Sequence, residues 1–178
     1  TYWKNGTPVH LTDGSKSTLA NSIFVSGNDV YVAGEEYYVT SLTGTVAKFW
    51  KNGVLTNLPA DNQYNHANSI FVVGSDVYIA GYENSSTGYS IAKYWKNGVA
   101  RRLTDGSTNA WANSIFVVGN DVYVGGEENS AVLGMATLWK NGVAVRLTDG
   151  TKDSWINSIS AVNNDVYAAG VESIRPYS

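Results

Sequence analysis

Trp50-Lys51-Asn52-Gly53 is the stretch that decides the fold, because the same four residues recur at Trp3, Trp95 and Trp139. Successive copies are separated by 47, 45 and 44 residues. Two other triplets keep the same phase: Asn-Ser-Ile, starting at Asn21, Asn68, Asn113 and Asn157, and Asp-Val-Tyr, starting at Asp29, Asp76, Asp121 and Asp165. Repeats of about 40 to 50 residues in fixed phase are typical of β-propellers and helical solenoids.

Each repeat contains four short segments of β type, which we label a to d. Asn52-Gly53 predicts a two-residue hairpin turn, because both residues readily adopt positive φ. It joins strand c, residues 46–51, to strand d, residues 54–58. Gly27-Asn28 similarly joins strand a, residues 22–26, to strand b, residues 29–34. No segment shows helical periodicity over three turns, so the sequence predicts an all-β fold and excludes the helical solenoid.

The hydrophobic pattern places the four strands within one sheet. Strands a, b and c are apolar at nearly every position, which is typical of strands covered on both faces, whereas strand d alternates and lies nearer solvent. Pro8 in the first copy of strand d agrees with an edge position. Four-stranded antiparallel sheets that repeat and stack face to face predict a β-propeller, with residues 1–178 as a single domain.

The repeat phase also predicts how the propeller closes. The first copy supplies only strands c and d, and the last supplies only strands a and b, so the two terminal segments are expected to complete one shared blade. Pairing within one chain gives a four-bladed monomer, and pairing between two chains gives an eight-bladed dimer. The monomer needs no partner, although Phe24, Phe71 and Phe116 are bulky for the inner strands of a four-bladed ring. Both alternatives remain open.

The order Asn-Ser-Ile, Asp-Val-Tyr-Val-Ala-Gly and Trp-Lys-Asn-Gly, maintained over the whole chain, resembles the repeats of secreted or surface-anchored bacterial β-propellers. It is similar, more distantly, to kelch blades, which carry a Gly-Gly doublet after strand b; Gly125-Gly126 is the one such doublet at that position here. The resemblance implies a β-propeller fold and a secreted or cell-surface location.

Composition excludes several functions. A net charge of -3 and a pI near 5.3 argue against nucleic acid as a partner, and no apolar run reaches the roughly 20 residues of a membrane helix. The chain has no cysteine and only two histidines, His10 and His66, which leaves little for a thiolate or histidine metal site or a catalytic triad. We therefore expect no metal and no cofactor.

The connections from b to c and from d to a are long and varied, so their face of the molecule is the expected binding face. Two residues before the repeated asparagine, the chain carries Leu19, His66, Trp111 and Trp155. Aromatic rings beside amides and carboxylates suit sugar or peptide recognition. The predicted ligand-binding residues are His66, Trp111 and Trp155, the asparagines Asn21, Asn68, Asn113 and Asn157, and the glutamates that follow strand b, Glu36, Glu83, Glu128 and Glu172.

These residues favour a non-enzymatic binding or interaction module whose ligand is a glycan or a protein. One alternative is a polysaccharide hydrolase or lyase that uses the repeated glutamates as an acid and base pair. A purely structural assembly module, formed when incomplete propellers pair, is another. Residues that are identical in every repeat favour a scaffold role over catalysis, because an active site usually breaks the repeat.

Overall fold

The structure is a computed structural model that describes residues 1–38, 44–62, 64–130, 133–163 and 165–173. These ranges form sixteen strands in five antiparallel sheets and contain no helix. The N-terminal hairpin is β1 (Tyr2–Lys4) and β2 (Thr7–Val9), and the first sheet is β3 (Thr18–Ser26), β4 (Asp29–Tyr38), β5 (Gly44–Lys51) and β6 (Val54–Asn57). The second sheet is β7 (Asn65–Val73), β8 (Asp76–Asn84), β9 (Ser90–Lys96) and β10 (Val99–Arg102). The third sheet is β11 (Ala110–Val118), β12 (Asp121–Asn129), β13 (Gly134–Lys140) and β14 (Val143–Arg146), and the C-terminal hairpin is β15 (Asp153–Val162) and β16 (Asp165–Ser173).

The all-β fold with repeated four-stranded antiparallel sheets is confirmed. Each complete sheet keeps its strands in chain order, so β3-β4-β5-β6 has its counterparts in the second and third sheets. The predicted hairpin turns also form: Asn52 and Gly53 have φ of 51° and 81°, which a turn with two left-handed residues requires. The two terminal hairpins are separate two-stranded sheets, and no closed ring is present within the described ranges.

The sheets stack through their inner strands. β3 packs on β7, β7 on β11, and β11 on β15, whereas the outer strands β6, β10 and β14 are exposed along their length. The rings of Phe24, Phe71 and Phe116 form a ladder across three of these inner strands, with centroid separations of 4.9 and 4.5 Å. Because aromatic packing is among the larger contributions to a core, this ladder helps to hold the first three sheets together.

The inner strands and their neighbours are longer than the repeat pattern predicts. β3 begins at Thr18 and β4 ends at Tyr38, so the predicted limits of 22 and 34 are wrong by four residues at the same end. Pairing continues past a bulge between Ala20 and Ser22. The charged pair Glu35-Glu36 suggests a loop, yet both side chains are buried, because Glu36 pairs with Lys48 and Glu35 contacts His66.

This extension shortens the connections of the predicted binding face. The segment from Glu35 to Thr45 was expected to be connection, but the structure assigns residues 35–38 and 44–45 to strands. Residues 39–43, 131–132 and 174–178 of the predicted connections, and Asn164 of a predicted turn, lie outside the described residues. Among the residues described, none forms a helix with the length and apolar character to cross a membrane.

Candidate functional site

Two of the residues that break the repeat, His66 and Trp111, lie on inner strands and contact the neighbouring sheets. His66 on β7 reaches the first sheet, where its Nδ1 is 2.7 Å from Glu35 Oε2 and its Nε2 is 3.2 Å from Thr45 Oγ1. Its ring also stacks on Tyr82 with a centroid separation of 4.4 Å. Trp111 on β11 meets the edge of the same Tyr82 ring at 6.4 Å. The structure therefore brings His66 and Trp111 together through a tyrosine that sequence reasoning did not select.

Glu35 is the polar centre of this cluster. Its carboxylate accepts a hydrogen bond from the Tyr37 hydroxyl over 2.9 Å, in addition to its contact with His66. That hydrogen bond raises the pKa of Tyr37. Burial, together with the charge of Glu35, raises the pKa of Tyr82 to about 12, so Tyr82 remains a neutral hydrogen-bond donor at physiological pH.

Leu19 and Trp155 occupy the corresponding positions on the first sheet and the C-terminal hairpin. They pair across their strands with Glu35 and Val171, respectively. Trp155 is half-buried, and Leu19 is exposed. The four predicted positions thus follow the stack from one sheet to the next and do not converge on a single cavity.

Three of the repeated asparagines join one sheet to the next. The side-chain amides of Asn21, Asn68 and Asn113 donate to the carbonyls of Ala67, Ala112 and Ile156, over 3.0, 3.0 and 2.9 Å. Each asparagine lies at the bulge of its inner strand, which turns its side chain toward the neighbouring sheet. Asn157 lies at the same bulge in the C-terminal hairpin and is exposed.

The repeated glutamates are held in ion pairs. Glu36 lies 2.5 Å from Lys48 and 2.6 Å from Lys16, and Glu83 lies 2.5 Å from Lys93 and 3.2 Å from Arg102. Glu128 and Glu172 pair with Arg146 and Lys152 at 3.7 and 2.7 Å.

The environment of Glu36 suits an ionised carboxylate. Burial alone raises its pKa, but the hydrogen bonds and charges of Lys16 and Lys48 outweigh burial and hold the pKa below its usual value. A glycosidase acid instead needs a raised pKa. Within the described residues, no group of three or more acidic or histidine side chains is arranged to hold a metal ion.

Sequence reasoning missed a groove of mixed polar and apolar lining on the long-connection face. Two adjoining depressions, of about 690 and 600 Å³, share Asp61, Asn62 and Ser85. Tyr64 lines the first depression and is 40% exposed, and Arg102 lines the second. We call the two depressions together the loop-face groove.

Buried contacts keep the wall of the loop-face groove in place. The Asn65 side chain accepts the backbone N–H of Ala47 at 2.6 Å and donates to the carbonyl of Asn62 at 3.0 Å. Arg102 bridges Asp61, at 2.7 Å, and the fully buried Glu83. These bonds tie Asp61, Asn62 and Asn65 to the first and second sheets.

One signal in the sequence marks the groove. After the leucine that ends strand d, three copies read Thr-Asp-Gly, at Thr12, Thr104 and Thr148, but the second copy reads Pro59-Ala60. This departure begins the segment that carries Asp61, Asn62 and Tyr64. A comparison of the chain with protein-family models and with curated proteins finds no match.

Proposed function

We propose that this protein is a non-enzymatic glycan-binding module, in which the stacked sheets are blades of a β-propeller and the loop-face groove holds the sugar. The observation that carries the proposal is the half-exposed Tyr64 ring beside the Asn62 and Asp61 side chains in an open groove of about 690 Å³. This volume lies in the usual range of ligand sites, roughly 300 to 1,000 Å³.

The chemistry of the groove supports a sugar more than an apolar ligand. A sugar ring presents C–H groups on its faces and hydroxyls around its edge, so it needs one flat aromatic surface and several hydrogen-bonding groups. Tyr64 can supply the aromatic surface, while Asn62, Ser85 and Asp61 supply donors and acceptors. The groove is also long, because its second depression continues past Arg102 to Asp105 and Ser107.

The geometry supports catalysis less well. The four repeated glutamates face cations in separate sheets, and the pKa of Glu36 is lowered. A hydrolase would need two carboxyls about 5 to 9 Å apart across one substrate, one of them with a raised pKa. Binding is therefore the function that the arrangement of these side chains favours.

The test begins with a glycan array probed with the labelled protein, followed by titration calorimetry with the strongest ligand. Tyr64→Ala should weaken binding by at least about tenfold, since a stacking contact of about 1.4 kcal/mol is lost. Leu55→Ala is the matched control, because Leu55 is similarly exposed, at 43%, and lies on β6 outside the groove. An array with no bound glycan, or a glycan whose affinity Tyr64→Ala leaves unchanged, would contradict the proposed site.

The same titrations decide between the groove and the residues predicted from the sequence. Trp111→Ala and Trp155→Ala should leave the affinity within about twofold, because Trp111 packs against Tyr82 between two sheets. A larger loss of affinity in either tryptophan variant than in Tyr64→Ala would place the binding site on the inner strands. Thermal unfolding of each variant shows whether any loss reflects damage to the fold.

A further inference from the structure

A five-residue arrangement recurs where the second and third strands of each complete sheet meet. In the first sheet, Lys51 lies 2.8 Å from Asp29, and the Asn52 side-chain amide donates to the same carboxylate over 2.7 Å. Asn52 Oδ1 accepts the backbone N–H of Val30 at 2.9 Å, and the Lys51 ammonium lies 5.2 Å from the ring centre of Tyr31. We call this arrangement the junction unit: a lysine at the end of one strand with the asparagine of the following turn, and an Asp-Val-Tyr triplet on the other strand.

The second and third sheets repeat the junction unit closely. Lys96 lies 2.9 Å from Asp76, and Lys140 lies 2.7 Å from Asp121. The side-chain amides of Asn97 and Asn141 donate to the same carboxylates over 2.8 Å. Their side-chain oxygens accept the backbone N–H groups of Val77 and Val122. Three independent copies with one geometry show that these five residue types fit together.

A fourth junction unit is present in the chain but divided between the two terminal hairpins. Lys4 and Asn5 lie on the N-terminal hairpin, and Asp165, Val166 and Tyr167 lie on β16. Asn5 already has φ of 51°, the same value as Asn52 and Asn97. In the described part of the chain, β1 and β16 belong to different sheets, and each has one edge without a paired strand.

The exposure of the divided unit shows what its assembly would bury. Tyr167 is 59% exposed, whereas the tyrosines of the three assembled units are 4 to 6% exposed. Trp3, which precedes Lys4, is 66% exposed, whereas Trp50, Trp95 and Trp139 are at most 1% exposed. Large aromatic side chains on facing edges gain most from being covered.

A second set of contacts is divided in the same way. Between adjacent sheets, an inner-strand asparagine donates to a carbonyl, and the following serine accepts an N–H, as Ser22 does from Ile70 over 3.1 Å. Ser69 and Ser114 accept from Ile115 and Ile159 in the same manner. The next members of the series would be Asn157 and Ser158 on β15, facing the Ala20 carbonyl and the Ile23 N–H on β3. Ile23 is 49% exposed, whereas its counterparts Ile70, Ile115 and Ile159 are 3 to 6% exposed.

We propose that a second copy of this chain supplies both missing partners. The N-terminal hairpin of each copy joins the C-terminal hairpin of the other to form a four-stranded sheet, and β15 of each copy packs on β3 of the other. Because the two ends are complementary, one twofold axis satisfies both pairs of surfaces at once and closes a ring of eight sheets.

The position of the N-terminal hairpin argues for a second copy over closure within the chain. Tyr2 packs with Leu11, Val32 and Trp50, so this hairpin is already docked on the first sheet. The C-terminal hairpin is at the other end of the stack, with the first, second and third sheets between them. The inference rests on the radial arrangement proposed above and is independent of glycan binding, which each copy could perform alone.

Cysteine cross-linking tests the proposal, because the chain contains no cysteine. The register of the first sheet, in which Phe49 faces Ala33, places Tyr2 opposite Ala169 in the assembled blade. Directly opposed residues of antiparallel strands have Cα atoms about 4.5 to 5.5 Å apart, which a disulfide spans. A mixture of Tyr2→Cys and Ala169→Cys chains should therefore give, on oxidation, a covalent dimer of about 38 kDa, twice the chain mass of 19.2 kDa.

The double variant and a control make the outcome decisive. Tyr2→Cys/Ala169→Cys should also give the covalent dimer, whereas closure within one chain would give an internally linked species of single-chain mass and overturn the proposal. Thr7→Cys with Ala169→Cys is the control and should not cross-link, because Thr7 lies on β2, away from the pairing edge. Absence of the covalent dimer, or a ladder of larger species, would likewise contradict a closed pair. Retained glycan binding in such a case would leave the proposed function intact.

Discussion

Lys93 and Glu83 form an ion pair that is almost completely removed from water. Lys93 Nζ lies 2.5 Å from Glu83 Oε2, and the two side chains are 2% and 0% exposed. Trp95 covers the ammonium group, with its ring centre 5.0 Å from the nitrogen. The first sheet has Lys48 and Glu36 at the same positions, whereas the third has Thr137 and a more exposed Glu128. A buried lysine–glutamate pair is therefore present in the first and second sheets but not at these positions of the third.

Lys93→Ala should destabilise the protein by about 3 kcal/mol, because it leaves the Glu83 carboxylate buried with only Arg102 as a cationic partner. Lys96→Ala is the matched control, since Lys96 pairs with Asp76 at the surface, and its loss should cost at most about 1 kcal/mol. Urea unfolding at fixed protein concentration measures both free energies. A Lys93→Ala cost no larger than that of Lys96→Ala would show that the buried pair adds no net stability.

At the scale of strands and turns, the repeat predicts the sheets well because each signal is local. Asn52-Gly53 specifies its hairpin through the backbone alone, and the apolar pattern distinguishes inner from outer strands. The limits of β4 could not be predicted, because Glu35 and Glu36 enter the core only through His66, Lys48 and other partners distant in sequence. The loop-face groove is equally non-local, since it forms where Asp61, Asn62 and Tyr64 meet the connection that starts at Ser85.

The junction units should make stability depend on pH in the acid range. Hydrogen bonds from Lys140 and Asn141 hold the pKa of Asp121 below its ordinary value of 3.8, and Asp29 and Asp76 are shifted downward in the same way. Because the pKa is lower in the folded state, this stabilisation is present above about pH 4 and is lost as the pH falls through the lowered value.

Asp121→Asn should therefore flatten the decrease in the free energy of unfolding below about pH 4, as measured by urea unfolding at several pH values. Ser75→Ala, an exposed turn substitution that removes no titrating group, should retain the slope of the unsubstituted protein. The interpretation fails if Asp121→Asn and Ser75→Ala have the same pH dependence.

For the whole molecule, the sequence predicts complementary terminal hairpins but not which chain completes them, because the repeat looks the same for a ring of four or of eight. The structure adds the docked position of the N-terminal hairpin and the uncovered faces of β3 and β15. Ile23 and Val25 on β3 are exposed at one end, and Val162 on β15 and Tyr167 on β16 are exposed at the other. The docked position of the N-terminal hairpin is what favours two copies.

The most direct test of this account is the solution mass of the unsubstituted 178-residue chain, measured by multi-angle light scattering over a range of concentrations. Closure by two copies predicts a single species of about 38 kDa, twice the 19.2 kDa of one chain. A mass of one chain at every concentration, or a mass that keeps rising with concentration, would contradict it.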